Sequence, residues 1–372
     1  MREVVGGRLV LDDAVVPGRV VLDDGVITSV VPDAAYAIGP FVVPGFIDVH
    51  VHGWGGHDAT GDADALSGMA RALLRQGVTS FLPTAPSLAP DDLAQFADRV
   101  RAWMPTAPLD GAEPLGFNLE GPFLAPARRG AHDPALLRTP ADLDPDILER
   151  LLEGLRIMTI APELEGSLAL IARLAGLGIA PSIGHSGATL EQAQAAFAAG
   201  GRTTTHLFNA MSGVDHRAPG LAVAALADDE VYAELIADGF HVHPSLWPLI
   251  TRTKPANRLV LVSDALPLAG MGDGRTRVGG LDVDVRGGKA TLLGTDTLAG
   301  STIALDAAVR NLVREGTSLP RAVAAASSNP AALLGAGDRG RIEVGRLGHL
   351  VVLDDALRVQ RVIRGETWVD PG

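Results

Sequence analysis

The sequence predicts an α/β protein: a (β/α)₈ barrel of the TIM type carrying a small β-sandwich domain built from both chain ends. Three observations predict it. Eight short apolar runs alternate with Ala- and Leu-rich stretches of helical period over residues 44–336. The two ends of the chain are instead β-branched runs broken by Gly and Asp. Polar residues gather where the apolar runs stop, which in a barrel is the face that carries the chemistry.

Residues 1–43 read as short strands with tight turns (VVGGRLVLDD, GRVVLDDGVITSVV, AIGPFVV), and residues 337–372 read alike (GRIEVGRLGHLVVLDD, RVQRVIRGETWV). Neither segment can bury much apolar surface alone, so the two are expected to form one small domain and bring the termini together. Residues 44–336 are expected to form the barrel. Its strands are expected at Phe46–Val51, Thr79–Pro83, Leu115–Leu119, Arg156–Ile160, Ala180–Ile183, Thr203–Leu207, Val231–Ile236 and Arg258–Val262. Near-continuous hydrophobicity suits parallel strands covered on both faces. Helices are expected between them, among others at Ala63–Gln76, Asp91–Trp103, Leu168–Leu177 and Leu190–Ala199. A doubly wound open sheet gives the same alternation, and the number of runs leaves that alternative open. Thr276–Leu293, with Gly pairs at 279–280 and 287–288, reads as a hairpin insertion; Ser301–Glu315 and Pro320–Ala326 read as late helices.

A chain of 372 residues with 47% hydrophobic content can bury a large core. Its formal charge of -13 means that it gains nothing from counterion release on a phosphate polymer, so nucleic acid is not an expected partner. A local basic pocket can still hold one phosphate. There is no cysteine, which excludes disulfides and thiolate metal ligands and leaves His, Asp and Glu to hold any metal. The start, MREVVGGRLVLDD, has charges where a signal peptide needs an apolar core. No apolar run approaches the roughly 18 residues of a membrane span. A cytoplasmic location without membrane contact is expected.

The first run ends in Asp48-Val49-His50-Val51-His52. Side chains alternate along a strand, so His50 and His52 share a face and suit a divalent metal, with Val49 and Val51 toward the outer helices. Two ordinary polar residues at a strand end are the alternative. Glu120 follows the third run directly and precedes Gly-Pro; it is a ligand candidate or a loop carboxylate capping an amide. His132, in a loop, reads by itself as a solvated surface group. Later runs end near His185, His206, Asp238 with His241, and Asp264. Each alone has a structural reading. Together, five of the ten histidines fall at or just past expected strand ends, beside Glu120 and Asp264, where chance would scatter them. His57, His216, His243 and His349 are expected to be structural or surface groups.

This barrel-mouth order resembles the amidohydrolase superfamily, and the local strings resemble its N-acetylglucosamine-6-phosphate deacetylases. The matching stretches are PGFIDVHVHG (44–53), LEGPF (119–123), GAH (130–132), GHS (184–186), THLFNAM (205–211), APGL (218–221), ADGFH (237–241), LVSDA (261–265) and LAGST (298–302). HxH and the Asp after the eighth run are generic; LEGPF with THLFNAM is much more specific. The resemblance implies that Glu120, His185 and His206 hold a divalent ion, zinc first with iron(II) and manganese(II) as alternatives. His50 and His52 leave room for a second ion. It implies that Asp264 takes a proton from the attacking water and later gives it to the leaving amine. His132 would polarise the acetyl carbonyl, and His241 would contact the sugar or its phosphate. Asn209, the Ala210 backbone N–H and Arg217 would hold the phosphate. Because that arginine can come from the neighbouring subunit, a homodimer is implied. The tail GHLVVLD departs from the relatives' Ala-Asp pair, and the loop SGVDHRAPG bears on the shape of the phosphate pocket.

The expected reaction is therefore hydrolysis of N-acetyl-D-glucosamine 6-phosphate to glucosamine 6-phosphate and acetate. N-acetylgalactosamine 6-phosphate or an N-acyl amino acid would need only small pocket changes. A non-catalytic binding protein would have lost ligands, and none is lost here. A Schiff-base aldolase would need a lysine at a strand end, and neither Lys254 nor Lys289 is at one. The same lack argues against a carboxylated-lysine bridge between two metals, leaving Glu120 for that place.

Overall fold

The computed structural model describes residues 2–371. The chain opens with an antiparallel meander, β1 (Arg2–Val10), β2 (Val15–Asp23) and β3 (Val26–Pro32). Asp24-Gly25, with φ of 48° and 75°, makes the two-residue turn that such a hairpin favours. After β4 (Phe41–Pro44) the chain enters the barrel.

The barrel strands are β5 (Phe46–Val51), β6 (Val78–Ala85), β7 (Phe117–Leu119), β8 (Leu155–Ile160), β9 (Ala180–Ile183), β10 (Thr203–Thr204), β11 (Tyr232–Leu235) and β12 (Leu259–Leu261). They pair in parallel and in sequence order from β5 to β12. The seam between β5 and β12 is closed just beyond the strands: Asp264 N–H donates to the His50 carbonyl (2.8 Å) and His52 N–H to the Ala265 carbonyl (2.9 Å). The open-sheet alternative is thereby excluded.

Alternation along the strands makes two apolar layers. Ile47, Leu82, Ile157, Ala180, Tyr232, Ile236, Val260 and Val262, drawn from strands around the ring, cluster in the lumen. Phe46, Phe81, Phe117, Met158, Leu235 and Leu261 pack in the layer shared with the helices. Val51 joins that outer layer as expected, but Val49 lies in the lumen cluster, because the register of β5 against β6 shifts between Asp48 and Val51. The helices start where local chemistry starts them. Asp62 accepts from Ala65 N–H (2.9 Å) ahead of Ala63–Leu74, Pro90 opens Pro90–Trp103, and Thr189 with Gln192 forms a capping box ahead of Leu190–Ala198. Pro145–Leu152, Leu221–Ala227, Trp247–Thr253 and Ser328–Leu333 are helices too short to show a period in sequence.

The expected hairpin insertion is a three-stranded sheet, β13 (Gly274–Val278), β14 (Leu281–Arg286) and β15 (Lys289–Leu292). Its Val283, Val285 and Ala290 pack on Leu266 and Ala299, which holds it over the barrel mouth. The chain ends in β16 (Leu350–Leu353), β17 (Val359–Arg364) and β18 (Thr367–Val369). Strands of both chain ends form one continuous seven-stranded sheet in the order β18-β17-β16-β4-β1-β2-β3. The sheet curls: Ile27 in β3 exchanges hydrogen bonds with Arg346 and Gly345 (2.8 Å each) on the approach to β16. Among the described residues no helix is long and apolar enough to cross a membrane.

His349 sits buried where this sheet meets the barrel, and its carbonyl accepts from Gly45 N–H (2.8 Å). Burial, then the Arg339 charge, push its imidazole down from 6.5 to about 4. Below its unfolded value the unfolded chain takes up a proton that the folded chain refuses, so this group's stability contribution is present above about pH 6.5 and is lost as pH falls toward 4. Between about pH 7.5 and pH 5 the wild type is expected to lose roughly 2 kcal/mol more than His349→Gln. Urea denaturation at both pH values reads the difference, and equal losses would refute it.

Candidate active site

The expected site residues come from the C-terminal ends of the barrel strands. His50 lies in β5 and His52 just after it; Glu120 directly follows β7. His185, His206 and Asp264 stand two or three residues beyond β9, β10 and β12, with φ of 47°, 29° and 50°. That left-handed conformation costs a non-glycine residue about 1–2 kcal/mol and turns each chain out of its ladder into the mouth. Phe208 and Ala210, with φ of 76° and 50°, fold the loop after β10 in the same way. Gly300 explains the LAGST string. Its φ is 66°, and a Cβ there would stand 2.8 Å from the Asp264 carbonyl, which also accepts from Ser301 N–H (2.7 Å).

Two donor groups result. Glu120 Oε1 lies 2.9 Å from both His185 Nε2 and His206 Nε2, which are 3.2 Å apart. His50 Nε2 and His52 Nε2 are 3.3 Å apart, and Asp264 Oδ1 is 3.6 and 3.2 Å from them. Glu120 stands between the groups: its Oε2 is 3.2 Å from His52 Nε2, and its Oε1 is 3.7 Å from His50 Nε2. That is where a carboxylate shared by two ions would stand.

The donor atoms fit a divalent cation. His52 Nδ1–H donates to the Thr84 carbonyl (3.1 Å), His185 Nδ1–H to the Arg128 carbonyl (2.9 Å), and His50 Nδ1–H to Glu234 Oε2 (3.3 Å). Each partner can only accept, so each Nδ1 carries a hydrogen, and each Nε2 is left to give a lone pair to a cation or to hold a proton toward the carboxylates. Converging lone pairs repel unless a positive charge lies between them. Ligands at about 2.0–2.1 Å in tetrahedral array stand roughly 3.3 Å from one another, close to the spacing seen here.

The charges agree. Burial opposes charging of His50, yet Glu120, Glu234 and Asp264 outweigh it and hold that imidazole well above its ordinary value. Burial is likewise outweighed at His52 by hydrogen bonds to Asp264 and Glu120, which raise it to about 9. Glu120 and Asp264 are buried, which favours their neutral forms, but the surrounding imidazoles (His132 and His50 at Glu120, His52 and His50 at Asp264) hold both carboxyls ionised. The socket thus draws positive charge.

His132 is buried, not solvated as its loop position alone suggests. Its Nδ1 accepts from Ser87 N–H (3.2 Å), so the neutral ring carries its hydrogen on Nε2, 3.2 Å from Glu120 Oε2. Burial, with the charges of His185 and His52, outweighs Glu120 and lowers its pKa, which keeps the ring a neutral donor. Asp238 Oδ2 holds His241 Nδ1 at 2.7 Å. Burial opposes charging of His241, but Asp238 outweighs it and raises the pKa.

A cavity of about 430 Å³ opens over these groups, lined among others by Asn209, Ala210, His241 and the Leu298–Gly300 segment. Arg217 lies on an exposed loop and does not line the cavity of its own chain. Asn209 Nδ2 donates to the His206 and Leu207 carbonyls (3.2 Å each), bracing the loop. Sequence reasoning did not single out Glu234, Ser87 or Thr84. A charged residue within the apolar run 231–236 was the one signal for Glu234.

Fold and site together define a metal-dependent hydrolase with its reaction centre at the mouth of a (β/α)₈ barrel. Residues 41–369 match the amidohydrolase family. The chain is 40% identical over 335 residues to the N-acetylgalactosamine-6-phosphate deacetylase of Escherichia coli O157:H7, a match spanning 87% of this chain and 86% of that protein. It is 40% identical over 344 residues to the human N-acetylglucosamine-6-phosphate deacetylase, spanning 88% and 83%. It superposes with a TM-score of 0.90, at 37% identity and 99% coverage of both chains, on the Mycobacterium smegmatis N-acetyl-D-glucosamine-6-phosphate deacetylase, solved as a mutant in complex with N-acetyl-D-glucosamine-6-phosphate. The chain belongs to the amidohydrolase family, in its N-acetylglucosamine-6-phosphate deacetylase branch.

Proposed function

We propose that this chain hydrolyses N-acetyl-D-glucosamine 6-phosphate to D-glucosamine 6-phosphate and acetate. The observation that carries the reading is the convergence of Glu120, Asp264 and the Nε2–H of His132 on one cavity. Glu120, His185 and His206 would hold one divalent ion, and His50, His52 and Asp264 a second, with zinc best suited to an all-His and carboxylate set. Bound there, the ion supplies Lewis acidity toward water and the acyl oxygen. The ionised Asp264 accepts a proton from water as its oxygen attacks the acetyl carbon. His132 Nε2–H donates to the oxygen that gains negative charge. As the C–N bond breaks, the proton on Asp264 passes to the leaving nitrogen, giving the amine and acetate. His241, braced by Asp238, which holds its imidazole above its ordinary value, suits an anionic or hydroxyl-rich part of the substrate.

Asn209, the Ala210 N–H and an arginine would take the phosphate. Because Arg217 stands outside the cavity of its own chain, the reading includes a homodimer in which this residue serves the neighbouring site. A phosphorylated sugar does not cross membranes unaided, so the reading implies a cytoplasmic enzyme. The similarity to the E. coli protein favours N-acetylgalactosamine 6-phosphate as the second reading.

Acetate release is measured in zinc-loaded protein with both phosphorylated sugars and with unphosphorylated N-acetylglucosamine. N-acetylglucosamine 6-phosphate is expected to exceed the unphosphorylated sugar by at least about 10²-fold in kcat/KM, since a site built for a polar group rejects the analogue that lacks it. A preference for the galacto sugar would install the second reading. Turnover of neither phosphate, with zinc, iron or manganese loaded, would sink both.

A further inference from the structure

Glu234 lies inside β11, fully buried. Its neighbours two residues away, Tyr232 and Ile236, belong to the lumen cluster, so Glu234 shares their face and stands in the lumen below the mouth. Its Oε2 accepts from His50 Nδ1–H and from the His206 backbone N–H, both at 3.3 Å. Its Oε1 is buried with no hydrogen-bond partner among the described residues. A buried carboxylate so thinly partnered is costly, and an apolar side chain would fill the place without that cost. Among the described residues its side-chain hydrogen-bond partner is His50, a member of the His50–His52–Asp264 group.

We propose that Glu234 is the positioning residue that creates the second ion site by holding His50 Nε2 toward His52 and Asp264. A carboxylate behind a ligating imidazole fixes the ring and strengthens the donor atom. The positive charge of an ion on the far side of the ring in turn compensates the buried carboxylate. The Glu120–His185–His206 group meets Glu234 only through a backbone N–H, so the two sites depend on it unequally. The inference rests on reading the His50 group as an ion site, and it is tested without any sugar substrate.

The full chain is stripped with a chelator and titrated with zinc sulfate. Bound zinc is counted by mass spectrometry, and affinities are read by competition with a chromogenic chelator. Wild type is expected to hold two zinc ions per chain. Glu234→Gln keeps the size and loses the charge; it is expected to retain one ion unchanged and to bind the other at least about tenfold more weakly. His50→Asn is expected to weaken the same ion, and adding Glu234→Gln to it should change the affinity no further. Two ions at wild-type affinity in Glu234→Gln would overturn the role of Glu234 and leave the ion site standing. One ion in the wild type would overturn the second site itself, with the deacetylase reading untouched. Should Glu234→Gln fail to fold, Glu234→Asp decides by the same measurement: it withdraws the carboxylate by one methylene, and an unweakened second ion would refute the proposal.

Discussion

Asp264→Asn is expected to lower kcat for acetate release by about 10³-fold while KM changes little, the scale of a lost general base and acid. The substitution keeps the shape and removes the charge, and with it the ability to carry a proton between water and nitrogen. The backbone at Asp264 is held on both sides, by the His50 carbonyl and Ser301 N–H, so the side chain has one place to stand in either variant. Its carboxylate is ionised although buried, because His52 donates to it and His50 lies close. Steady-state kinetics on N-acetylglucosamine 6-phosphate read the effect. Zinc content is counted alongside, since Asp264 also belongs to the His50 group and a missing ion would imitate a missing base. A kcat within tenfold of wild type, at equal zinc content, would remove Asp264 from the proton path.

Glu120→Gln is expected to cost still more, about 10³-fold or beyond in kcat/KM, because several kcal/mol of charge stabilisation depend on it. Its carboxylate faces the imidazoles of both donor groups. One oxygen faces His185 and His206 and the other faces His52 and His132, all between 2.9 and 3.2 Å. An amide offers one weaker, uncharged acceptor oxygen, and its NH₂ donates to imidazole lone pairs and so ties up the donor atoms that an ion needs. Both ions should therefore bind more weakly, in contrast to the single ion affected at Glu234. Zinc titration beside kinetics gives the result, and undiminished binding of two ions would show that Glu120 bridges nothing.

Much of this was legible in the chain because a barrel strand announces itself. Phe46–Val51 and Ala180–Ile183 are strands over the predicted residues. The run Thr203–Leu207 yields only Thr203–Thr204, because His206, Phe208 and Ala210 adopt left-handed conformations that a ladder cannot hold. Those same conformations are what aim His206 into the mouth, so the departure from a clean strand is part of how the site is made. Val49 failed the simple alternation for a related reason: β5 slips its register next to the two histidines.

Ligand spacing at strand ends was readable as chemistry, yet roles were not. A lone loop histidine gives no hint that Ser87 will fix its tautomer, so His132 stood out only through resemblance. Glu234 hid in an apolar run, and its meaning depends on His50, 184 residues away. Arg217 can be found in sequence but not assigned to its own or a neighbouring site, since that depends on association and not on local pattern.

The seam between β5 and β12 has a consequence for how the protein is born. Contacts across it join residues 213 positions apart, as between Ser263 and His50. The ribosome releases His50 and His52 early and Asp264 late, and β4 then waits for β16, which pairs with it along Phe41–Pro44. Such distant pairings are slow to form and leave unpaired edges exposed meanwhile. During synthesis the early histidines therefore have no pocket to belong to. The ring and both His–carboxylate groups are therefore expected to be completed only after most of the chain has been translated.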